Sequence, residues 1–124
     1  MIERRWVAPV LWACAIGLLT SWPNPPSVAA PEGADKAVHA LLYSTFGLLT
    51  QRSAWRVQFE WRRALLVAIG LALFAAVDEW HQLFIPGRSM ELGDWIADSV
   101  GALAGITFYS LFAGAASMRR RSRT

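Results

Sequence analysis

Residues 64–105 read ALLVAIGLALFAAVDEWHQLFIPGRSMELGDWIADSVGALAG. From Ala64 to Val77 every side chain is apolar or absent. The stretch that follows then carries Asp78, Glu79, His81, Gln82, Arg88, Glu91, Asp94 and Asp98. About 20 apolar residues cover a hydrocarbon core of ~30 Å. Ala64–Phe84 and Trp95–Ala113 therefore read as two membrane helices, with Pro86 and Gly87 as the turn between them. The ionisable groups lie at the end where the two helices meet, so the question is what holds them there.

Two more apolar segments lie upstream, Trp6–Trp22 and Ala37–Thr50. The second is short. Between Lys36 and Arg52 it spans roughly 22 Å at 1.5 Å per residue. Snorkelling by the flanking cations or local thinning of the bilayer would let it cross, and a re-entrant segment is the alternative. With 124 residues, 55% of them hydrophobic and seven of them Trp, the chain is one domain whose surface does not suit water. The expectation is an all-α fold, an integral membrane four-helix bundle over residues 1–124, with helices near 6–22, 37–50, 64–84 and 95–113. Cys14, the single cysteine, sits inside an apolar run and has no partner for an intramolecular disulfide.

Charge orients this bundle. Ten of the twelve Lys and Arg fall in three clusters: Arg4 and Arg5; Arg52, Arg56, Arg62 and Arg63; and Arg119, Arg120, Arg121 and Arg123. Four crossings bring all three to one side, which the positive-inside rule makes cytoplasmic, with both termini there. The other side holds Lys36, Arg88 and seven of the nine carboxylates. Because the basic clusters flank apolar segments, they read as topology anchors of an inner-membrane protein and not as a nucleic-acid surface. The first segment resembles a signal peptide ending in SVAA, but Pro31 beyond Ala30 disfavours cleavage, and a retained helix is expected. WPNPPSVAAP reads as a stiff extracytoplasmic loop. In RSAWRVQFEWRR, the alternating Trp55, Val57, Phe59 and Trp61 read as an interfacial segment.

Helical spacing then collects the polar groups. Asp78 lies about 21 Å along the third helix, short of the outer interface, so it faces the bundle interior and is paired, protonated or hydrated. Gln82 is one turn further on, and Glu79 and His81 are adjacent. Asp94 and Asp98 share a face of the fourth helix, continued by Gly101 and Gly105. On the second helix Asp35, His39 and Tyr43 recur at steps of four, next to Lys36. Three polar stripes thus reach a similar depth, while the first helix reads as packing. GALAG is a GxxxG step whose glycines bring two helices of the same chain together or join two copies.

In this order, DKAVHALLYSTFGLL (residues 35–49) and DEWHQLFIPGRSMELGDWIADSVGALAG (residues 78–105) resemble the VanZ-like family of small bacterial membrane proteins, named for a protein linked to low-level teicoplanin resistance. The resemblance covers roughly Asp35 to Gly105. Members often carry Asn at the position of Asp98. It implies a cell-envelope protein with relevance to glycopeptide sensitivity, and no settled activity comes with it.

The reading that follows is an extracytoplasmic polar pocket lined by Lys36, His39, Tyr43, Asp78, Glu79, Gln82, Arg88, Asp94 and Asp98. It would bind a membrane lipid or lipid-linked envelope precursor, with Lys36 and the fork of Arg88 receiving an anionic headgroup. Alternatively Arg88 pairs with Glu91 or Asp94 and closes the loop. A membrane-embedded hydrolase or transferase acting on a lipid-linked phosphate, with Asp78 and His39 as acid and base, is a second class. It lacks a recognisable nucleophile, since Ser89 and Ser99 read as ordinary helix residues. A small oligomeric transporter is a third class, and a homo-oligomer is open. His39 and His81 with Asp78 or Asp98 have the chemistry of a Zn²⁺ site. Neither HxxxH nor HExxH occurs, so the sequence assigns no metal and no cofactor.

Overall fold

A computed structural model describes residues 3–24, 31–55 and 60–121. The 25–30 part of the proline-rich loop, Val57 and Phe59 of the interfacial segment, and residues 122–124 of the basic tail lie outside the described residues. A 3₁₀ turn at Arg4–Trp6 leads into α1 (Val7–Thr20), followed by α2 (Ala34–Ala54), α3 (Trp61–Gln82) and α4 (Leu92–Arg121). Among the described residues there is no strand, and the fold is all-α.

Helix length departs most from the apolar pattern in α2 and α4. The apolar part of α2 is 37–50, yet the helix runs unbroken for 21 residues, about 31 Å. Its first turn is Ala34, Asp35 and Lys36, and its last includes Gln51, Arg52 and Ser53, all of which keep helical backbone while carrying polar side chains. No re-entrant break is present. Gly33, at φ 82°, starts this helix from the left-handed region that glycine tolerates. Likewise α4 continues past Ala113 to Arg121, because Ala, Met and Arg extend a helix as readily as Leu does. By length and composition, α3 and the Leu92–Ala116 part of α4 suffice to cross a membrane.

The helices alternate in direction, up and down, so α2 and α4 are parallel. An offset of 59 residues recurs at His39–Asp98 near one end and Gln51–Ser110 near the other. Glycines close this seam. A Cβ on Gly101 would collide with the main-chain oxygen of Ala40, one on Gly105 with that of Ser44, and one on Gly47 with that of Ala102. GALAG therefore acts within the chain, where absence of a side chain lets two backbones touch. Indoles pin the outer helices. Trp12 Nε1–H donates to the Leu42 carbonyl at 2.9 Å, tying α1 to α2, and Trp95 Nε1–H donates to the Ala72 carbonyl at 3.0 Å, tying α4 to α3. Tyr43, Phe46 and Phe74 form an edge-to-face aromatic group in the core.

Polarity is inverted relative to a water-soluble bundle. Leu18, Leu41, Leu66, Leu73, Phe108 and Leu111 are exposed, whereas Asp78, Glu79, Gln82, Asp94 and Asp98 are buried. A belt of large apolar side chains suits lipid, and polar groups in lipid must find partners inside.

Candidate functional site

The alternation of helix direction gathers the C-termini of α1 and α3 and the N-termini of α2 and α4 at one end. Every ionisable stripe seen in the sequence lands there, and several of its members touch. His39 Nδ1 is 2.9 Å from Asp98 Oδ1, and His39 Nε2 is 3.7 Å from Asp94 Oδ2. The carboxylate of Glu79 accepts from Gln82 Nε2 at 3.2 Å and from the backbone N–H of Glu91 at 2.9 Å, which ties α3 to the start of α4. Asp78 Oδ1 accepts from the Thr20 hydroxyl at 2.7 Å. The other oxygens of Asp78 and Asp98 and the hydroxyl of Tyr43 are buried without a protein partner. Tyr43 lies one turn beyond His39 on α2 and is 1% exposed, so it is buried on the same helix below the cluster.

Lys36 stands at the rim. Its ammonium contacts Asp35 at 3.0 Å, Asp94 at 3.2 Å and Glu91 at 3.3 Å. Both Asp35 and Lys36 precede the apolar stretch 37–50. The Asp35 hydrogen bond, followed by those to Asp94 and Glu91, holds the Lys36 ammonium above its usual range. In return, hydrogen bonding to Lys36 holds the Asp35 carboxyl below its usual range. The Lys36 stem crosses α4 at Gly93, where a Cβ would come to 2.8 Å from Lys36 Cε.

Arg88 does something the sequence did not indicate. It pairs with neither Glu91 nor Asp94. Nη2 donates to the Leu19 carbonyl at 3.0 Å and Nε donates to the Trp22 carbonyl at 3.3 Å, so the guanidinium caps the C-terminus of α1. Free carbonyls and the negative end of a helix favour a cation there. The turn that aims it is type II in form. Arg88 N–H bonds the Ile85 carbonyl at 3.1 Å, Pro86 takes the second position, and Gly87 takes the third at φ 76°. Asn24 N–H bonds the Pro86 carbonyl at 2.9 Å and fixes the turn to the chain leaving α1.

Seven of the nine sequence-selected side chains thus belong to the rim or cluster, Tyr43 is buried below it, and Arg88 serves the neighbouring helix end. His81 is exposed. Thr20 is the group the sequence concealed. A threonine at the end of an apolar helix looks like packing, yet it is only 6% exposed and is the one side chain of α1 that reaches the carboxylates. Asp35 and Glu91 complete the rim around Lys36.

The arrangement is rich in acceptors and poor in donors. Asp78, Glu79, Asp94 and Asp98 are buried together, and the cations touching them are Lys36 at the edge and His39 when protonated. Such a site can hold protons, a cation, or a ligand that donates hydrogen bonds. Neither the curated proteins nor the solved structures contain a match to this chain. A family model does match, over residues 6–113, from the first helix through the glycine seam. The match spans the bundle and all the residues that build its polar end, and the chain is a membrane protein belonging to the VanZ/LLP1 family.

Proposed function

We propose that the chain crosses the bacterial cytoplasmic membrane four times, with both termini inside, and that its polar end binds a cell-envelope component in the outer leaflet. The observation that supports this reading is the burial of Asp78, Glu79, Asp94 and Asp98 in a cluster to which α1, α2, α3 and α4 all contribute. Four helices converging on buried acidic side chains fit a binding site, because ionisable groups inside a membrane bundle are costly to keep without a function. The ligand class we favour is a membrane lipid or lipid-linked envelope precursor. Its amine or hydroxyl donors would face the carboxylates. A phosphate would stay outside Lys36, towards the donors of Arg88 that do not cap α1, because Asp35, Glu91 and Asp94 already surround Lys36. Binding of this kind would alter the response to glycopeptides such as teicoplanin.

The test uses a host lacking the gene and complemented with wild type or Asp98→Ala. Wild type should restore the teicoplanin phenotype, and the variant, at equal membrane level, should not. Equal sensitivity of the two strains overturns the reading. Orientation is tested in a Cys14→Ala background. Ser89→Cys should react with an impermeant thiol reagent from outside and Glu60→Cys should not.

A hydrolase or transferase acting on a lipid-linked phosphate is the second reading. The His39–Asp98 bond favours it, since a carboxylate at Nδ1 orients an imidazole as a base. In that case Asp98, and not Asp78, partners His39. Release of phosphate from a lipid-linked substrate by the purified protein is the measurement that selects this reading.

A further inference from the structure

The two carboxylate groupings that share Asp94 differ in one respect. The outer one, Asp35, Glu91 and Asp94, has a cation inside it, with Lys36 Nζ 3.0–3.3 Å from all three carboxylates. On the inner side, His39, Glu79 and Asp94 each offer one ligand atom, and these atoms lie within 4.8 Å of one another. Lys36 touches this grouping at Asp94 Oδ1, whereas His39 Nε2 lies beside Asp94 Oδ2. We propose that His39, Glu79 and Asp94 bind a divalent transition-metal ion of the Zn²⁺ or Mn²⁺ class.

The donor atoms and their orientation support this. One imidazole nitrogen and two carboxylates suit borderline divalent ions. Donors about 2.0–2.2 Å from one ion stand roughly 3–4 Å apart, within a small side-chain adjustment of the spacing here. With Asp98 ionised, and so accepting only, the 2.9 Å contact of His39 Nδ1 with Asp98 Oδ1 requires the proton on Nδ1. In the neutral ring Nε2 then carries a lone pair. It lies 3.7 Å from Asp94 Oδ2, too far for a hydrogen bond and on the inner side. A carboxylate behind the imidazole of a metal ligand fixes its tautomer and strengthens it as a donor. Asp98 is on this account a positioning residue.

A second observation is independent of the cluster's charge. Tyr43 is 1% exposed and Asp98 0%, yet the tyrosine hydroxyl and Asp98 Oδ2 have no protein partner. Polar atoms this deep are ordinarily paired. Water or ligand oxygen on the open positions of an ion would serve both. Access exists at the edge, where the His39 side chain is 13% exposed and that of Asp94 10%.

The proposal does not depend on the envelope ligand, and the test contains none. Protein in detergent is stripped with a chelator, dialysed against Zn²⁺, and its metal content and thermal midpoint are measured. Co²⁺ is used in parallel for its visible absorption. Wild type should retain about one equivalent of Zn²⁺, gain thermal stability, and show Co²⁺ bands of a low-coordinate nitrogen–oxygen site. Glu79→Gln and Asp94→Asn should weaken Zn²⁺ at least roughly tenfold, and His39→Gln should abolish retention. Asp98→Asn keeps an acceptor but not the charge. It should weaken Zn²⁺ by about 10–100-fold and shift the Co²⁺ bands while leaving them present. Asp35→Asn should bind as wild type does. Failure of wild type to retain metal overturns the proposal, as does equal binding by His39→Gln. A loss in Asp35→Asn as large as in Asp94→Asn overturns it in favour of the outer grouping. If a variant does not fold, the wild-type metal content and Co²⁺ spectrum still decide.

Discussion

The two ends of the bundle use the same four helices and solve the burial of polar groups differently. At the end formed by the C-termini of α2 and α4, the buried polar side chains of these two helices are neutral, and several bond one another or the main chain, while Thr50 Oγ1 and Gln51 Oε1 have no protein partner. Gln51 Nε2 donates to the Ser110 hydroxyl at 3.1 Å, Ser110 donates to the Ile106 carbonyl at 2.8 Å, and the Ser53 hydroxyl donates to the Arg5 carbonyl at 2.5 Å. At the opposite end, the buried groups are mostly carboxylates, which accept only. Thr20, His39, Gln82, the backbone of Glu91 and Lys36 provide the donors, and oxygens of Asp78 and Asp98 are left over. Hydroxyls and amides carry both donor and acceptor and can close a network among themselves. Ionised carboxylates accept only and need donors from elsewhere, and that difference in chemistry separates a helix-joining end from an end suited to bind something.

The largest effect should come from the seam that holds both ends in register. Gly105→Val drives a side chain into the main chain of α2 at Ser44 and Leu48, and should cost about 3 kcal/mol or more. Gly70 meets nothing within 4 Å, so Gly70→Ala should stabilise by up to about 1 kcal/mol. Thermal unfolding in detergent compares the two. Similar midpoints for both variants would show that the glycines do not hold the seam.

Next in size is Thr20→Val, which removes the hydroxyl from Asp78 without changing shape. Hydrogen bonds to charged groups are worth roughly 1.5–3 kcal/mol, and a loss in that range is expected from chemical unfolding. Ser110→Ala, at the neutral end, should cost only about 0.5–1.5 kcal/mol in the same assay. Were Ser110→Ala the more costly, the distinction between the ends would be reversed. The smallest effect belongs to Arg88→Lys. Lysine keeps a cation and one donor at the end of α1 and loses the fork, so the midpoint should fall by only a few tenths of a kcal/mol equivalent. A large loss would mean that the capping geometry, and not just its charge, secures the turn.

Much of this was legible in the sequence for a physical reason. In lipid, side chains that cannot face the hydrocarbon must face one another, so spacing along each helix assigned Asp78, Gln82, Asp94, Asp98, His39 and Tyr43 to the interior before any packing was known. The glycines at 101 and 105 likewise marked a close approach. What the sequence hid depends on pairings between helices. Thr20 resembles any small residue ending an apolar helix until α3 stands beside it. Arg88 looked available because spacing identifies neighbours on the same helix and is silent about the carbonyls of Leu19 and Trp22, more than sixty residues away. The ends of α2 and α4 were placed too early because hydropathy measures lipid contact and not backbone conformation.

The parallel seam has a consequence for how the protein is made. Its glycine-lined partners, α2 and α4, are not neighbours in the chain, since α3 lies between them. As synthesis proceeds from the N-terminus, Gly47 and the Ala40 and Ser44 backbone emerge long before Ala102, Gly101 and Gly105 exist to meet them. Until then α2 has α1 beside it through the Trp12 indole, and the carboxylates of α3 lack the Glu91 N–H. Assembly is therefore completed by the last helix. A nascent chain stalled before Glu91 leaves Glu79 without the Glu91 N–H and His39 without Asp94 and Asp98. It is the intermediate that membrane quality control has most reason to recognise.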